Sequence, residues 1–335
     1  MSNEVSELPY GIGEVQVTSR PSKAGDKSVQ CFVVGCQNRL RVPTRTFPGD
    51  VCPDHGIRCH YSSNQPTYSY LQPRRNIIAS ADLFTQRIVR HPFKFETHRL
   101  GSERSEDALS WNVFRSLQEA RLLSKVAEML TGIASDHEPT LYLWGICVSD
   151  DSCDPWHLLI AARERFESSL PVERPLTEPD IALHLPGKYL ILIEAKFTSS
   201  NTHYEEGPRQ SSSSLTKQEL VSIYQDAALR IVNVPAAEAA GRVYYQLWRN
   251  MVFAEWMARL DHPQTQAFHV NLVRDGADVE SAFEFRCMIN EPYQNRFQRL
   301  TWERLYRRLD ERSELSRLKR YLESKTAGLQ RAFSL

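Results

Sequence analysis

The sequence predicts a mixed α/β fold with a small N-terminal module and a C-terminal helix. Three observations support this fold class. Segments with helical and strand periodicity alternate through the middle of the chain. Two apolar segments flank Pro186-Gly187, the pattern of a β-hairpin. Four of the seven cysteines lie close together near the N-terminus, which separates that region from the rest.

The elements follow in order along the chain. "SEDALSWNVFRSLQEARLLSKVAEMLTGI" (105–133) predicts one long amphipathic helix with Ser105 as its N-cap. A buried strand is expected at 140–148, a helix at 155–168 and the two hairpin strands at 181–185 and 189–197. Helices are then predicted at 215–232 and 242–260, a strand at 267–273 and a charged helix at 299–325. The core order is helix, strand, strand, strand, helix and strand, with one helical insertion after the first strand.

Composition restricts the class of protein. A chain of 335 residues with 41% hydrophobic residues can bury a sizeable core. No apolar run reaches the roughly 18 residues of a membrane span, and the N-terminus lacks the layout of a signal peptide. We therefore expect a cytoplasmic protein with no membrane partner. Basic ends flank an acidic middle, which suits a protein that binds a polyanion, although ordinary solvated surfaces would give the same pattern.

The hairpin carries three charges that an apolar strand should not tolerate. Asp180, Glu194 and Lys196 lie among aliphatic and aromatic residues of the kind found in buried strands. An unpaired buried charge costs several kcal/mol. A turn centred near 186–187 pairs residues whose numbers sum to 373 or 374, so Asp180 should lie beside Glu194. Strand alternation places Glu194 and Lys196 on one face. Two converging carboxylates repel unless a cation such as Mg²⁺ lies between them, which predicts metal-assisted hydrolysis of a phosphodiester.

These residues also form a known motif. Pro179-Asp180 and, further along, Glu194-Ala195-Lys196 resemble the motif of the PD-(D/E)XK nuclease superfamily, whose restriction-endonuclease-like core has the element order given above. The resemblance covers roughly residues 101–275. It implies cleavage of nucleic acid, usually DNA, with Mg²⁺ or Mn²⁺. Asp180 and Glu194 would be the metal ligands, and Lys196 would assist the attacking water. In the alternative, Asp180 caps a turn and Glu194 pairs with Lys196 on an exposed edge.

The resemblance implies further site residues on two helices. Many members add an acidic residue from the first helix, and Glu106 is our candidate for a metal-facing catalytic residue, although an acid there also complements the helix dipole. On the later helix Gln246 and Arg249 are candidates to bind substrate phosphate; for Arg249 a surface salt bridge is the alternative. The Gln-x-x-x-Tyr signature of the exonuclease branch is absent, because Asn250 stands where Tyr would be.

The N-terminal cysteines predict a structural zinc site. Cys31, Cys36, Cys52 and His55 form two short ligand pairs, and tetrahedral Zn²⁺ takes four such ligands. Cys59 or His60 could replace one of the four, and cysteines packed as small hydrophobes are the alternative. Nearby arginines, and Tyr61, Tyr68 and Tyr70, could bind phosphates and stack bases.

The chain is therefore expected to have three parts: a zinc-binding module and linker (1–75), a nuclease-like domain (76–295) and a basic C-terminal helix (296–335). We expect a Mg²⁺-dependent nuclease, specifically an endonuclease that acts on DNA, in restriction, phage defence or repair. Cutting of both strands would suggest a homodimer. The second hypothesis is a nucleic-acid-binding or scaffold protein that keeps the nuclease fold without catalysis. The presence of Asp180, Glu194 and Lys196 together argues against it.

Overall fold

The computed structural model describes residues 28–62, 65–94, 99–170, 176–201, 219, 222–224, 230–233, 244–309, 312–327 and 330–335. The chain divides into two compact units. The first comprises Met1–Val89, His98–Ala120 and Glu303–Leu335, and the second comprises Arg90–Thr97 and Arg121–Trp302. Among the described residues, no helix has the length and apolar character needed to cross a bilayer.

The strands in chain order are β1 (Ser28–Gln30), β2 (Arg39–Arg41), β3 (Ile57–Ser62), β4 (Gln65–Tyr70), β5 (Thr140–Leu143), β6 (Ile146–Cys147), β7 (Ile181–Leu185), β8 (Tyr189–Ala195), β9 (Gln266–Val273), β10 (Phe297–Thr301), β11 (Thr326–Ala327) and β12 (Gln330–Arg331). The α-helices are α1 (Ala81–Leu83), α2 (Glu106–Glu119), α3 (Leu123–Thr131), α4 (His157–Glu167), α5 (Tyr245–Asp261), α6 (Val279–Met288), α7 (Trp302–Arg307) and α8 (Ser316–Glu323).

The N-terminal part of the first unit is built from two antiparallel pairs, β1 with β2 and β3 with β4. Its small core contains Phe32, Leu40 and Ile57 together with Tyr68 and Tyr70, and all five side chains are buried. The two tyrosines therefore cannot stack on bases, and that expectation was wrong for them. The side chain of Tyr61 lies outside the described residues.

Helix α2 begins where the sequence predicts. Ser105 caps it, since the Ala108 amide donates to Ser105 Oγ at 3.1 Å. The expected single helix over 105–133 is nevertheless wrong, because α2 ends at Glu119 and α3 begins at Leu123. Arg121 has a φ of 55°, which no α-helix accommodates. This break coincides with the boundary between the two units.

The second unit contains a six-stranded sheet in the order β10-β9-β8-β7-β5-β6. Strands β5, β7 and β8 are antiparallel neighbours, whereas β8, β9 and β10 are parallel. All seven residues of β8 are buried, which explains its nearly continuous apolar sequence. Helices α4 and α5 share a core with Ala182, Leu190 and Leu192, on the sheet face that also carries Glu194. The mixed α/β class is confirmed.

The C-terminal region differs from the single charged helix expected over 296–335. Phe297–Thr301 is a strand that extends the sheet, with Phe297 paired to His269. Two short helices, α7 and α8, and the β11–β12 pair follow it. Phe297, Leu300 and Trp302 are buried, so pairing with β9 outweighs the helical propensity of this charged sequence. The helix predicted at 215–232 lies mostly outside the described residues.

Candidate metal centre and nuclease site

The hairpin of β7 and β8 places Asp180 beside Glu194. Ile181 pairs with Ile193, so paired numbers sum to 374, one of the two registers expected. Asp180 immediately precedes β7, and its Oδ2 accepts a hydrogen bond from the Ala195 amide at 2.8 Å. The Asp180 carboxylate therefore reaches the backbone of the residue next to Glu194, where the two strands end.

The segment leading into Asp180 is held by buried polar contacts. Arg163 of α4 donates through Nε to the Thr177 carbonyl at 2.8 Å, and the Thr177 amide donates to Glu167 Oε1 at 2.9 Å. Lys94 forms an ion pair with Glu178, and both side chains are nearly excluded from solvent. These contacts restrain the backbone just before the carboxylate, which is the kind of support that a precisely placed ligand requires.

Both carboxylate oxygens of Glu194 are engaged. Lys196 Nζ lies 2.6 Å from Oε1, and Asn250 Nδ2 of α5 donates to Oε2 at 2.7 Å. Glu194 is only 3% exposed. Its charge is thus buried, paired and hydrogen-bonded, which is the condition under which a fold tolerates such a group. The alternative of an exposed edge pair does not describe this residue.

The charges near Glu194 favour its ionised form. Burial alone would raise the pKa of Glu194, but the ion pair with Lys196 and the nearby Arg249 charge outweigh burial and lower that pKa. Burial lowers the pKa of His269 on β9 to about 4, so this imidazole is neutral. Its Nδ1 lies 3.1 Å from the Leu192 carbonyl, which only accepts, so Nδ1 carries the proton. Glu194 is therefore an anion at neutral pH, as a metal ligand must be.

Lys196 is anchored through its backbone at the end of β8. Its amide donates to the Leu272 carbonyl at 2.8 Å, and its own carbonyl accepts from Trp302 Nε1 at 3.0 Å. The side chain is 12% exposed, so its ammonium group stands at the margin of the buried carboxylate. This arrangement can direct a positive charge at a water molecule or a phosphate oxygen close to Glu194.

The two candidates on α5 differ in environment. Gln246 is exposed, whereas Arg249 is half-buried and lies with its guanidinium carbon 5.4 Å from the centre of the Tyr245 ring. The charge of Arg249 acts on Glu194 and on Glu167. Of the two, Arg249 is the residue that the structure brings into the electrostatic environment of the carboxylates.

The site also contains Asn250, a residue that the sequence reasoning did not select. In the sequence, Asn250 occupies the position at which the exonuclease signature has Tyr. A signal was present, since an asparagine between apolar helix residues such as Leu247 and Met251 is out of pattern. Its partner could not be read from sequence spacing, because Glu194 lies 56 residues away.

Glu106 belongs to the first unit, whereas Asp180, Glu194 and Lys196 belong to the second. It is the first residue of α2, directly after the Ser105 cap, and it is half-buried. Asp107 follows it in the same helical turn. The catalytic role of Glu106 stays a prediction from the family resemblance.

The four predicted zinc ligands converge in the first unit. One ligand atom from each of Cys31, Cys36, Cys52 and His55 lies within 4.8 Å of every other. The Cys36 and Cys52 sulfurs are 3.8 Å apart, and His55 Nδ1 is 3.4 Å from Cys52 Sγ and 3.7 Å from Cys31 Sγ. A tetrahedral zinc site with Zn–S of about 2.3 Å and Zn–N of about 2.0 Å has ligand–ligand edges of about 3.5–3.8 Å. The donor set and its spacing fit Zn²⁺.

Local backbone geometry makes this convergence possible. Gly35 and Gly56, with φ of 80° and 60°, form the tight turns beside each ligand pair. Asn38 Nδ2 lies 3.4 Å from Cys36 Sγ and 3.5 Å from Cys52 Sγ, so it can stabilise thiolate charge. The alternative ligand Cys59 is a core residue outside this cluster, and burial raises its pKa to about 11. The side chain of His60 lies outside the described residues.

Comparison with known proteins identifies a family. The family model described as "Restriction Endonuclease associating with ARP" matches residues 58–325. The chain belongs to this family. No curated protein and no solved structure matches the chain.

The family match covers Asp180, Glu194, Lys196 and Asn250, and it begins after His55, the last residue of the cysteine and histidine cluster. Membership of a restriction-endonuclease-associated family suggests a nuclease-like function. The cysteine and histidine cluster lies outside the matched region.

Proposed function

We propose that this member of the restriction-endonuclease family is a metal-dependent nuclease of the PD-(D/E)XK type. The observation that carries the proposal is the Glu194 carboxylate, buried yet ionised, beside Asp180 at the open end of a strand pair and in contact with Lys196. Lys196, Arg249 and Asn250 stabilise the charge of Glu194 itself. A divalent cation between Asp180 and Glu194 would in addition offset the repulsion between the two carboxylates.

Each site residue has a separate proposed role. Asp180 and Glu194 would hold Mg²⁺ or Mn²⁺, with Glu106 as a further candidate ligand. The bound ion would polarise the phosphoryl oxygen and lower the pKa of the attacking water. Lys196 would orient that water or neutralise charge on the phosphate, since its ammonium already lies against Glu194. Arg249, with Gln246 nearer the surface, would bind the substrate phosphate.

DNA is the proposed substrate, and restriction, phage defence or repair is the proposed setting. The family description supports the class of enzyme, and the association with ARP that it names is a statement about the family as a whole. The zinc cluster would stabilise an N-terminal module that helps to hold the nucleic acid. Cleavage of both strands would favour a homodimer.

The test is incubation of the purified full chain with plasmid, single-stranded DNA and RNA, in Mg²⁺, in Mn²⁺ and in EDTA. We expect metal-dependent cleavage of at least one substrate and its loss in Asp180→Asn. Asp136→Asn, at an exposed aspartate of the second unit, is the matched control. If the unaltered chain binds nucleic acid in the presence of metal but cleaves none of the substrates, the inactive scaffold is favoured. If Asp180→Asn cleaves as fast as the unaltered chain, the proposed site is contradicted.

A further inference from the structure

Asn250 stands in an apolar setting with one polar contact. It is fully buried on α5, next to Met251 and one turn from Leu247 and Ala254, which are buried as well. Its Nδ2 donates to Glu194 Oε2 at 2.7 Å. Within the described part of the chain, its Oδ1 has no hydrogen-bond partner.

This arrangement does not stabilise the core by itself. A buried polar atom without a partner costs about 1–3 kcal/mol, whereas an apolar side chain of similar size would pack against the same neighbours at no such cost. The one hydrogen bond that Asn250 makes goes to a carboxylate, and bonds to charged groups are the stronger kind. The position of the amide is therefore explained by Glu194 rather than by α5.

The contact also fixes the orientation of the carboxylate. Rotation of a glutamate carboxylate about its last bond has only a broad preference, so a single contact leaves it poorly defined. Here two donors from different elements bind different oxygens: Lys196 binds Oε1 from the strand end and Asn250 binds Oε2 from α5. The plane of the carboxylate is set, with Oε1 on the side of Lys196, whose side chain is 12% exposed, and Oε2 on the side of α5.

We propose that Asn250 is a positioning residue of the metal centre, which holds Glu194 Oε2 so that the carboxylate presents Oε1 to the divalent cation. The inference rests on the proposed function for the identity of the metal ligands. It predicts that the amide N–H, rather than the volume of the side chain, sets metal affinity. Outer-shell partners of metal ligands contribute about 10- to 100-fold to affinity.

The experiment measures Mn²⁺ binding by electron paramagnetic resonance, on the full chain with its cysteine and histidine cluster loaded with zinc. Asn250→Leu keeps a branched side chain without the amide, and Asn250→Ala removes the volume as well. We expect both to weaken Mn²⁺ binding by about 10-fold or more. Asn290→Ala is the control, since Asn290 is half-buried in the same unit and donates to the Arg230 carbonyl instead.

A double-mutant cycle with Glu194→Ala separates positioning from general damage. If Asn250 acts through Glu194, Asn250→Leu adds no further loss of Mn²⁺ affinity in the Glu194→Ala background. Unchanged affinity in Asn250→Leu, or an equal loss in both backgrounds, overturns the inference. Glu194-dependent Mn²⁺ binding without cleavage of any substrate leaves the inference standing and contradicts only the nuclease function. Absence of Glu194-dependent binding in the unaltered chain overturns both.

Discussion

Lys196 Nζ lies 2.6 Å from Glu194 Oε1, and the two residues stand two positions apart at the end of one buried strand. A cation in contact with an anion that is the proposed metal ligand implies different roles for the two side chains. Removal of the anion should weaken metal binding, whereas removal of the cation should slow the chemical step without weakening metal binding. That difference can be measured.

We predict that Lys196→Ala lowers the cleavage rate by about 100- to 1000-fold, the usual cost of removing one group that stabilises developing charge. Mn²⁺ binding should be retained or strengthened, because a competing positive charge is removed from Glu194. Single-turnover cleavage and Mn²⁺ titration provide the two measurements. Lys188→Ala is the matched control, since Lys188 is the exposed lysine that immediately precedes the same strand. Loss of Mn²⁺ binding in Lys196→Ala would place the lysine in the metal site itself.

If Cys31, Cys36, Cys52 and His55 bind zinc, the zinc content of the protein should depend on these residues. Cys31→Ser should reduce bound zinc from about one ion per chain to almost none and destabilise the first unit, since a structural site contributes directly to folding. Zinc analysis and thermal unfolding would show this.

Two other cysteines test the assignment of the ligands. Cys59→Ser should keep its zinc while lowering stability, because Cys59 is a fully buried core residue outside the cluster. Cys287→Ser should change neither the zinc content nor the stability, because Cys287 is exposed. Loss of zinc from Cys59→Ser would contradict the assigned ligand set.

Local sequence rules predicted the parts of both sites that local geometry controls. The hairpin register follows from a Pro-Gly turn and strand alternation, so the pairing of Ile181 with Ile193 was predictable. The convergence of Cys31, Cys36, Cys52 and His55 follows from two short spacings. Each of these features depends on residues close in sequence, where turn chemistry and periodicity are informative.

What the sequence did not reveal depends on contacts between distant segments. The contact of Asn250 with Glu194 and the pairing of Phe297 with His269 both require the assembled sheet. Likewise, the break at Arg121 carries no glycine or proline as a signal, although its positive φ ends the helix. At Phe297–Thr301 tertiary packing overrode the helical propensity of the sequence.

Lys325 predicts a pH dependence of stability in the first unit. Its ammonium is fully buried and donates to Asn76 Oδ1 at 2.7 Å and to the Glu103 carbonyl at 2.9 Å. Burial lowers its pKa to about 7, an effect that the nearby Glu103 charge only partly offsets. Between about pH 7 and the ordinary lysine pKa of about 10.4, the unfolded chain therefore binds more protons than the folded chain.

The free energy of unfolding should consequently rise with pH across that window, with a contribution from Lys325 of at most about 1.4 kcal/mol per pH unit. Lys325→Met should remove this contribution, whereas Lys125→Met, at a lysine that is 65% exposed, should not. Urea unfolding at pH 7, 8 and 9 gives the comparison. Identical pH slopes for the unaltered chain and Lys325→Met would show that Lys325 titrates normally.

Arg249 predicts a salt-dependent effect on substrate binding. If its guanidinium binds a phosphate, Arg249→Ala should raise the apparent Kd for DNA and reduce the slope of log K against log salt concentration by about one. Fluorescence anisotropy at several salt concentrations measures this, in Ca²⁺ to prevent cleavage. Arg259→Ala, on the same helix but bonded to the Tyr293 hydroxyl, is the control. An unchanged slope in Arg249→Ala would limit this residue to its electrostatic effect on Glu194.

Glu106 and Asp107 offer a matched pair that separates catalysis from helix stability. Both are acids in the first turn of α2, so both complement the helix dipole, an effect of about 0.3–1 kcal/mol each. Glu106→Gln and Asp107→Asn should therefore cost similar, small amounts of stability. If Glu106 also serves the metal centre, only Glu106→Gln should lower the cleavage rate, by about 10-fold or more. Cleavage assays at saturating Mg²⁺, with thermal unfolding of both variants, decide this. Equal cleavage by the two variants would assign Glu106 to the helix dipole alone.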